Sequence, residues 1–213
     1  PDFVWIKQRS SPVRDNVLHD IIRGSNKVLY SNLSSKQDTL NATYFTSFDS
    51  NGFTLGGDAY YNGGSLDYVA WCWRAAGFAN AFNVLENGTV TTSSSAATAG
   101  ITAGNVTTGW NVSANRDAGF SIATFTSNAS TITVGHGLST TPDLIIVKTT
   151  TFGDDWFVNC VGLTNQTNRA LRLNATSAEE TNNSFWNNTG PTSTIFSLGS
   201  GISVSGQSYV AYS

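Results

Sequence analysis

The sequence is short of charge, of sulfur and of the residues that carry most catalysis. Of 213 residues, 12% are charged, two are Cys, two are His and none is Met. The 11 Lys and Arg against 14 Asp and Glu leave a net charge of −3. They are spread too thinly to form the basic face that nucleic acid requires, so nucleic acid is excluded as a partner. No apolar run approaches the ~18 residues of a helical membrane span, and no membrane association is expected. No secretory hydrophobic segment opens the chain. Cys72 and Cys160 stand outside any Cys-x-x-Cys pair. That spacing holds no zinc, and both are expected as half-buried free thiols. With no Met, and with Pro1 first, the sequence reads as a processed product or an excised segment. Long stretches of Ala, Leu, Glu and Lys at helical spacing are missing, as are dinucleotide, Walker, nucleophile-elbow and His-Glu-x-x-His patterns. No cofactor is implied.

What is present is Thr, Ser, Asn, Gly and a generous share of aromatics, 12% of the chain. β-Branched and aromatic side chains fit a pleated surface, and the small polar residues fit tight turns. The strongest pattern is an internal repeat. PDFVWIK at 1–7 returns as PDLIIVK at 142–148, and NKVLYSN at 26–32 as NRALRLN at 168–174. FTLG at 53–56 returns as FSLG at 196–199, and YVAW at 68–71 as YVAY at 209–212. The four matches keep their order at offsets of 141 to 143 residues, which chance similarity would not do.

The expectation is an all-β chain of two tandem antiparallel β-sandwich units of jelly-roll, lectin-like type. Residues 1–75 form the first, 76–118 a Thr/Ser/Gly-rich linker or excursion, and 119–213 the second. Strands of the second unit are expected near 119–126, 131–135, 143–148, 155–161, 169–173, 183–187, 194–198 and 208–212. Phe48–Phe53 reads as a hairpin turn. The first unit holds equivalents of the last six of those strands. It should therefore show an unpaired sheet edge near Phe3 to Lys7, and such edges are commonly covered by a partner. That predicts a homo-oligomer, with three chains favoured over two.

Candidate chemistry is sparse. His19 and His136 have no companion ligands at motif spacing, and His136 sits between glycines in a turn, where a backbone hydrogen bond is the ordinary role. Asp154–Asp155, Glu179–Glu180 and Asp49 with Asp58 offer carboxylates, yet adjacent acids in loops are usually just solvated. Asp49-Ser50-Asn51-Gly52 lacks the acidic positions and closing Glu of a calcium loop. No metal site and no catalytic residue follow. Asn-x-Ser/Thr sequons at Asn32, Asn41, Asn87 and Asn174 are what this composition produces by chance. The six Trp are the best binding candidates, because an exposed indole suits sugar rings and protein interfaces alike. Trp110 and Trp186 lie in polar surroundings, and Trp73 lies on the repeated YVAWCW strand. These three are the candidate glycan or interface aromatics.

The order PDFVWIK, HDIIRG at 19–24, TSFDSNGFTLG at 46–56 and YVAWCW at 68–73 resembles a family of marine bacteriophage, especially cyanophage, proteins. GFSIATFT at 119–126, VGHGL at 134–138, FWNNTGPTS at 185–193, FSLG and YVAY carry the same resemblance through the second half. Roughly 76–110 falls outside it. The resemblance implies a non-enzymatic virion component: a tail fibre, an appendage or a capsid-decorating protein on the extracellular particle. Its partners would be other virion proteins. A carbohydrate-binding module that recognises a host surface glycan is the alternative. The family supplies no catalytic residues.

Overall fold

A computed structural model describes residues 1–10, 14–77, 81–83 and 100–213, with backbone alone at 81–83. The first repeat runs through β1 (Phe3–Gln8), β2 (Val17–Asp20), β3 (Lys27–Tyr30), β4 (Asp38–Thr39), β5 (Phe45–Asp49), β6 (Gly52–Leu55) and β7 (Tyr68–Trp73). Then follow β8 (Ala81–Asn83), β9 (Thr108–Asn115), β10 (Phe120–Thr126), β11 (Ile132–Gly135) and β12 (Leu144–Thr149). The chain ends with β13 (Phe157–Cys160), β14 (Arg169–Arg172), β15 (Glu180–Thr181), β16 (Ile195–Leu198) and β17 (Ser208–Tyr212). The protein is all-β, two tandem antiparallel β-sandwich units.

Each unit lays one large sheet over a two-stranded ribbon. The first has the order β4-β3-β2-β1-β7 over β5-β6, and the second β15-β14-β13-β12-β17-β10-β9-β8 over β11-β16. The order β4-β3-β2-β1-β7 reappears in the second sheet as β15-β14-β13-β12-β17. Register repeats as well: Trp5 faces Trp71 and Ile6 faces Ala70, while Ile146 faces Tyr212 and Val147 faces Ala211. All four pairs are related by 141 residues.

Alternation sorts each strand into two faces. Val4 and Ile6 of β1 point into the first unit's own core with Val17, Val28, Phe45 and Tyr61. Phe125, Val134, Ile145, Val147, Trp186, Phe196 and Tyr209 fill the second core. Each such buried side chain contributes ~1.5–3 kcal/mol. Two repeated details explain repeated letters. The glycine ending FTLG and FSLG is a place of close backbone approach. A Cβ would lie 1.6 Å from Thr43 O at Gly56 and 2.3 Å from Ser184 O at Gly199. The Tyr that opens β7 and follows the first residue of β17 spans its preceding loop the same way in both copies. Tyr209 Oη accepts from Val204 N and donates to Ile202 O, both at 2.9 Å. Tyr68 Oη accepts from Gly63 N at 2.9 Å and donates to Ala59 O at 2.7 Å. Tyr209→Phe is expected to cost about 1–2 kcal/mol in urea unfolding, because two loop groups lose their partner. Tyr68→Phe should cost less, since that ring is half-buried.

The other faces of the two large sheets pack on each other. Phe3, Leu18 and Leu29 of the first repeat meet Ile122, Trp156, Val210 and Tyr212 of the second. The end of β3 and the loop 31–37 reach across: Trp156 Nε1 donates to Tyr30 O (2.9 Å) and Leu33 O (3.2 Å), and Lys148 Nζ to Ser34 O (3.0 Å). Asp154 N also donates to Ser34 O at 2.7 Å. The repeats therefore form one body with a buried seam.

Three expectations need correction. Phe3 to Lys7 is not an edge, because β1 lies between β2 and β7. The open edge belongs to β7: β10 docks on β17, the last strand of its repeat, and the first repeat has no such strand among the described residues. The stretch 76–118 is not simply a linker. Its β9 pairs with β10 and sends Val112 and Ala114 into the core, and β8 adds a parallel strand beside it. The low-complexity residues 84–99, with the Asn87 sequon, lie outside the described residues. The strand expected at 183–187 is a turn, with Asn187 and Asn188 at φ of 53° and 52°. Leu144 is exposed at the start of β12. The Phe48–Phe53 hairpin is present, with Asp49 facing Gly52 across Ser50 and Asn51.

Candidate functional site

The three candidate tryptophans part company. Trp186 is 1% exposed and its Nε1 donates to Arg169 O at 2.8 Å, which places it in the second core rather than on the surface. Its polar neighbours Asn187 and Asn188 turn outward at their left-handed φ while the indole turns in. Trp110 is half-buried, packs against the second core and donates from Nε1 to Gly135 O at 3.0 Å. Trp73 remains at the surface, 37% exposed, and Trp71 beside it is 48% exposed. Composition alone did not single out Trp71. Its equivalent is Tyr212, which is 4% exposed, and the contrast emerges once the two strands are compared position by position.

Trp73 borders a cleft of about 430 Å³ between the two large sheets. Phe3, Trp5, Phe120, Leu144 and Tyr212 form apolar walls, and Thr140, Thr141, Asp143 and Ser213 supply polar groups. The rings are closely set: Phe3 lies 5.1 Å from Trp73 and 4.4 Å from Tyr212, and Trp73 lies 6.2 Å from Phe120. Such a cleft can take a flat apolar face and bond its polar edge. Along its side runs the outer edge of β7. Its residues Tyr68 to Trp73 carry no charge.

The titratable groups serve the fold. Asp20, Arg23 and Tyr212 form a buried network across the seam. Asp20 pairs with Arg23, Tyr212 Oη donates to Asp20 Oδ2 at 2.8 Å, and Arg23 donates to Tyr212 Oη at 3.1 Å. Burial pushes the Tyr212 phenol well above its ordinary range. Burial also brings the Lys148 amine down to about 8, against the pull of Asp154 and Asp155. His19 is buried, stacked on Phe45 at 4.5 Å and bonded through Nε2 to Tyr61 Oη at 2.8 Å. His136 is buried in its turn. Its Nδ1 accepts from Leu138 N and its Nε2 meets Thr192 O, both at 3.2 Å, and desolvation lowers its pKa.

The acidic pairs are taken up locally. Glu180 pairs with Arg172 and Glu179 with Arg169, each at 2.8 Å. Asp155 accepts from Asn174 Nδ2 at 2.7 Å, and Asp154 bonds the next amide. Asp49 accepts from Thr54 and Ser47 hydroxyls, which hold its carboxyl below the usual range. Asp58 closes its own turn on Tyr60 N. Among the described residues no three His, Cys, Asp or Glu gather in a metal-holding group. Cys72 and Cys160 are free, the first exposed and the second half-buried.

Two copies of one sandwich, joined through their sheets, define a tandem β-repeat protein. The chain belongs to the family described as Domain of unknown function (DUF7483), whose model matches it twice, over residues 1–102 and 92–213. No curated protein matches the chain, and no solved structure does.

Proposed function

We propose that the chain is a non-enzymatic structural component of a phage virion: a tail fibre, an appendage or a capsid-decorating protein. The observation that carries this reading is the outer edge of β7. It is a six-residue strand without charge, unpaired on that side among the described residues, and it carries Trp71 and Trp73 at 48% and 37% exposure. Proteins guard such edges or pair them, so an unguarded one is an assembly surface. The resemblance of the ordered motifs to phage proteins supplies the setting. Partners are other virion proteins and further copies of the chain, three copies being favoured. Two experiments test this. Light scattering on the purified chain should give a mass of three chains, and antibodies to it should decorate intact particles of a phage that encodes it. A concentration-independent monomer together with unlabelled particles defeats the proposal.

A second reading, a carbohydrate-binding module for a host surface glycan, is favoured by the cleft. Trp73 can stack on a pyranose face while Asp143 and the threonines take hydroxyls. A glycan that binds there should quench Trp fluorescence. Trp73→Ala should abolish the quenching while leaving the far-ultraviolet circular dichroism of the chain unchanged. Unchanged quenching in that variant removes the cleft from consideration.

A further inference from the structure

We propose that the outer edge of β7 is a docking site for an extended segment of a second polypeptide with the pattern of β10. The inference rests on the assembly reading and names the chemistry of the partner. The second repeat shows how the equivalent edge is filled. There β10 lies antiparallel on β17, with Ile122 facing Tyr212, Ala123 facing Ala211, Thr124 facing Val210 and Phe125 facing Tyr209. Since β1–β7 and β12–β17 share one register, the same positions on β7 are Trp71, Ala70, Val69 and Tyr68. The fitting segment therefore carries an apolar residue opposite Trp71, a small one opposite Ala70 and an aromatic opposite Tyr68.

Each of those β7 positions is in the state expected of an uncovered twin. Ala211 is 1% exposed, whereas Ala70 is exposed. Phe125 stacks on Tyr209 at 5.5 Å and 12°. The Tyr68 ring is anchored through its hydroxyl as Tyr209 is, and it is half-buried. The backbone is oriented for pairing too. In an antiparallel strand the N–H and C=O of one residue point the same way, and successive residues alternate. Asp2 N donates to Trp73 O at 2.8 Å, so Trp73, Trp71 and Val69 bond toward β1, and Cys72, Ala70 and Tyr68 point outward. In the second repeat Ser213, the equivalent of Cys72, exchanges both bonds with Ser121 of β10, at 2.8 and 3.0 Å. Among the described residues β10 itself is not free to supply the strand, because it already has β17 on one side and β9 on the other. The proposed occupant is another polypeptide, added by strand augmentation.

The probe is a synthetic peptide of the β10 sequence, GFSIATFT, with a scrambled peptide as control. Titrated into the full chain and followed by Trp fluorescence and calorimetry, it should bind one to one, at least about tenfold tighter than the control. Ala70→Pro removes an outward N–H and leaves the β1 bonds in place, a substitution tolerated on an edge. It should abolish binding with the circular dichroism of the chain unchanged. Should that variant misfold, Trp71→Lys, at an exposed position, serves instead and should weaken binding by at least about tenfold. Failure of the peptide to bind the folded chain overturns the inference. So does equal binding of the scrambled control, or β7-mediated self-association that the peptide does not displace. Light scattering reads the assembly proposal separately. A chain that binds the peptide yet stays monomeric keeps this inference and loses the homo-oligomer. A chain that oligomerises and ignores the peptide does the reverse.

Discussion

Asp20→Ala is expected to lower the unfolding free energy by about 3–5 kcal/mol, the scale for stripping one partner from a buried ion pair. Asp20 is fully buried and the Arg23 side chain nearly so. The carboxylate holds three groups at once: the Arg23 guanidinium, the Arg23 amide at 2.8 Å and the Tyr212 hydroxyl at 2.8 Å. Without it the guanidinium keeps contacts to Leu18 O at 3.2 Å, Gln37 Oε1 at 3.2 Å and Tyr212 Oη at 3.1 Å, but it has no counter-charge. A buried cation bonded to neutral acceptors alone is far more costly than a paired one. Tyr212→Phe removes one hydroxyl from the same network and should cost less, about 1–2 kcal/mol. Because Asp20 and Arg23 belong to the first repeat and Tyr212 to the second, both variants should also loosen the seam. Urea unfolding followed by near- and far-ultraviolet dichroism reads the effect. A loss below about 1 kcal/mol for Asp20→Ala would show that Arg23 finds compensation elsewhere.

That network also marks where the sequence stops being informative. The repeat was legible because PD-x-x-x-x-K, F-x-L-G and Y-V-A each answer a local demand: a central strand, a close backbone approach, a tyrosine spanning its loop. Those demands recur in both copies, so the letters recur. The seam between copies does not repeat itself. Asp20 has Cys160 as its equivalent, each being the residue that faces the start of the neighbouring strand, Phe3 or Leu144. A lock present in one copy leaves no trace in a comparison of the two. The open edge was foreseen but assigned to the wrong strand. Chain order suggests that a strand preceding β12 would lie beside β12, whereas β10 closes against β17, which comes last. Trp186 was misread because Asn neighbours suggest solvent. In this turn successive side chains diverge: Phe185 and the indole go inward, and Asn187 and Asn188 go outward. β9 was missed because Thr, Gly and Asn dominate its surroundings, although Trp110, Val112 and Ala114 do alternate within it.

His19 should make the protein acid-sensitive in a window that opens well above carboxylate titration. The ring lies on β2 at the centre of the first sheet, buried beneath Phe45 and Tyr61. Burial disfavours the imidazolium, and the Arg23 charge adds to the effect, outweighing the opposite pull of Asp20. Together they bring the pKa down to about 3. In the unfolded chain the same ring titrates near 6.5. Between these values the unfolded state binds a proton that the native state refuses, so stability rises with pH across the window and is lost as pH falls from about 6.5 toward 3. At about 1.4 kcal/mol per pH unit, the loss between pH 7 and pH 4 is on the order of 3 kcal/mol. The second repeat suggests the control. Asn159 occupies the equivalent place on β13, facing Ile145 as His19 faces Val4, and its Nδ2 donates to Gln166 O at 2.8 Å. His19→Asn keeps a polar group at the site and removes the titration. The variant should be less stable at pH 7 by an offset from the lost packing, and that offset should shrink as the pH falls. The quantity to measure is the difference between the two unfolding free energies at each pH from 4 to 7. A difference that stays constant across that range would mean that His19 takes up its proton in the fold as readily as in the unfolded chain, and the burial argument would fail.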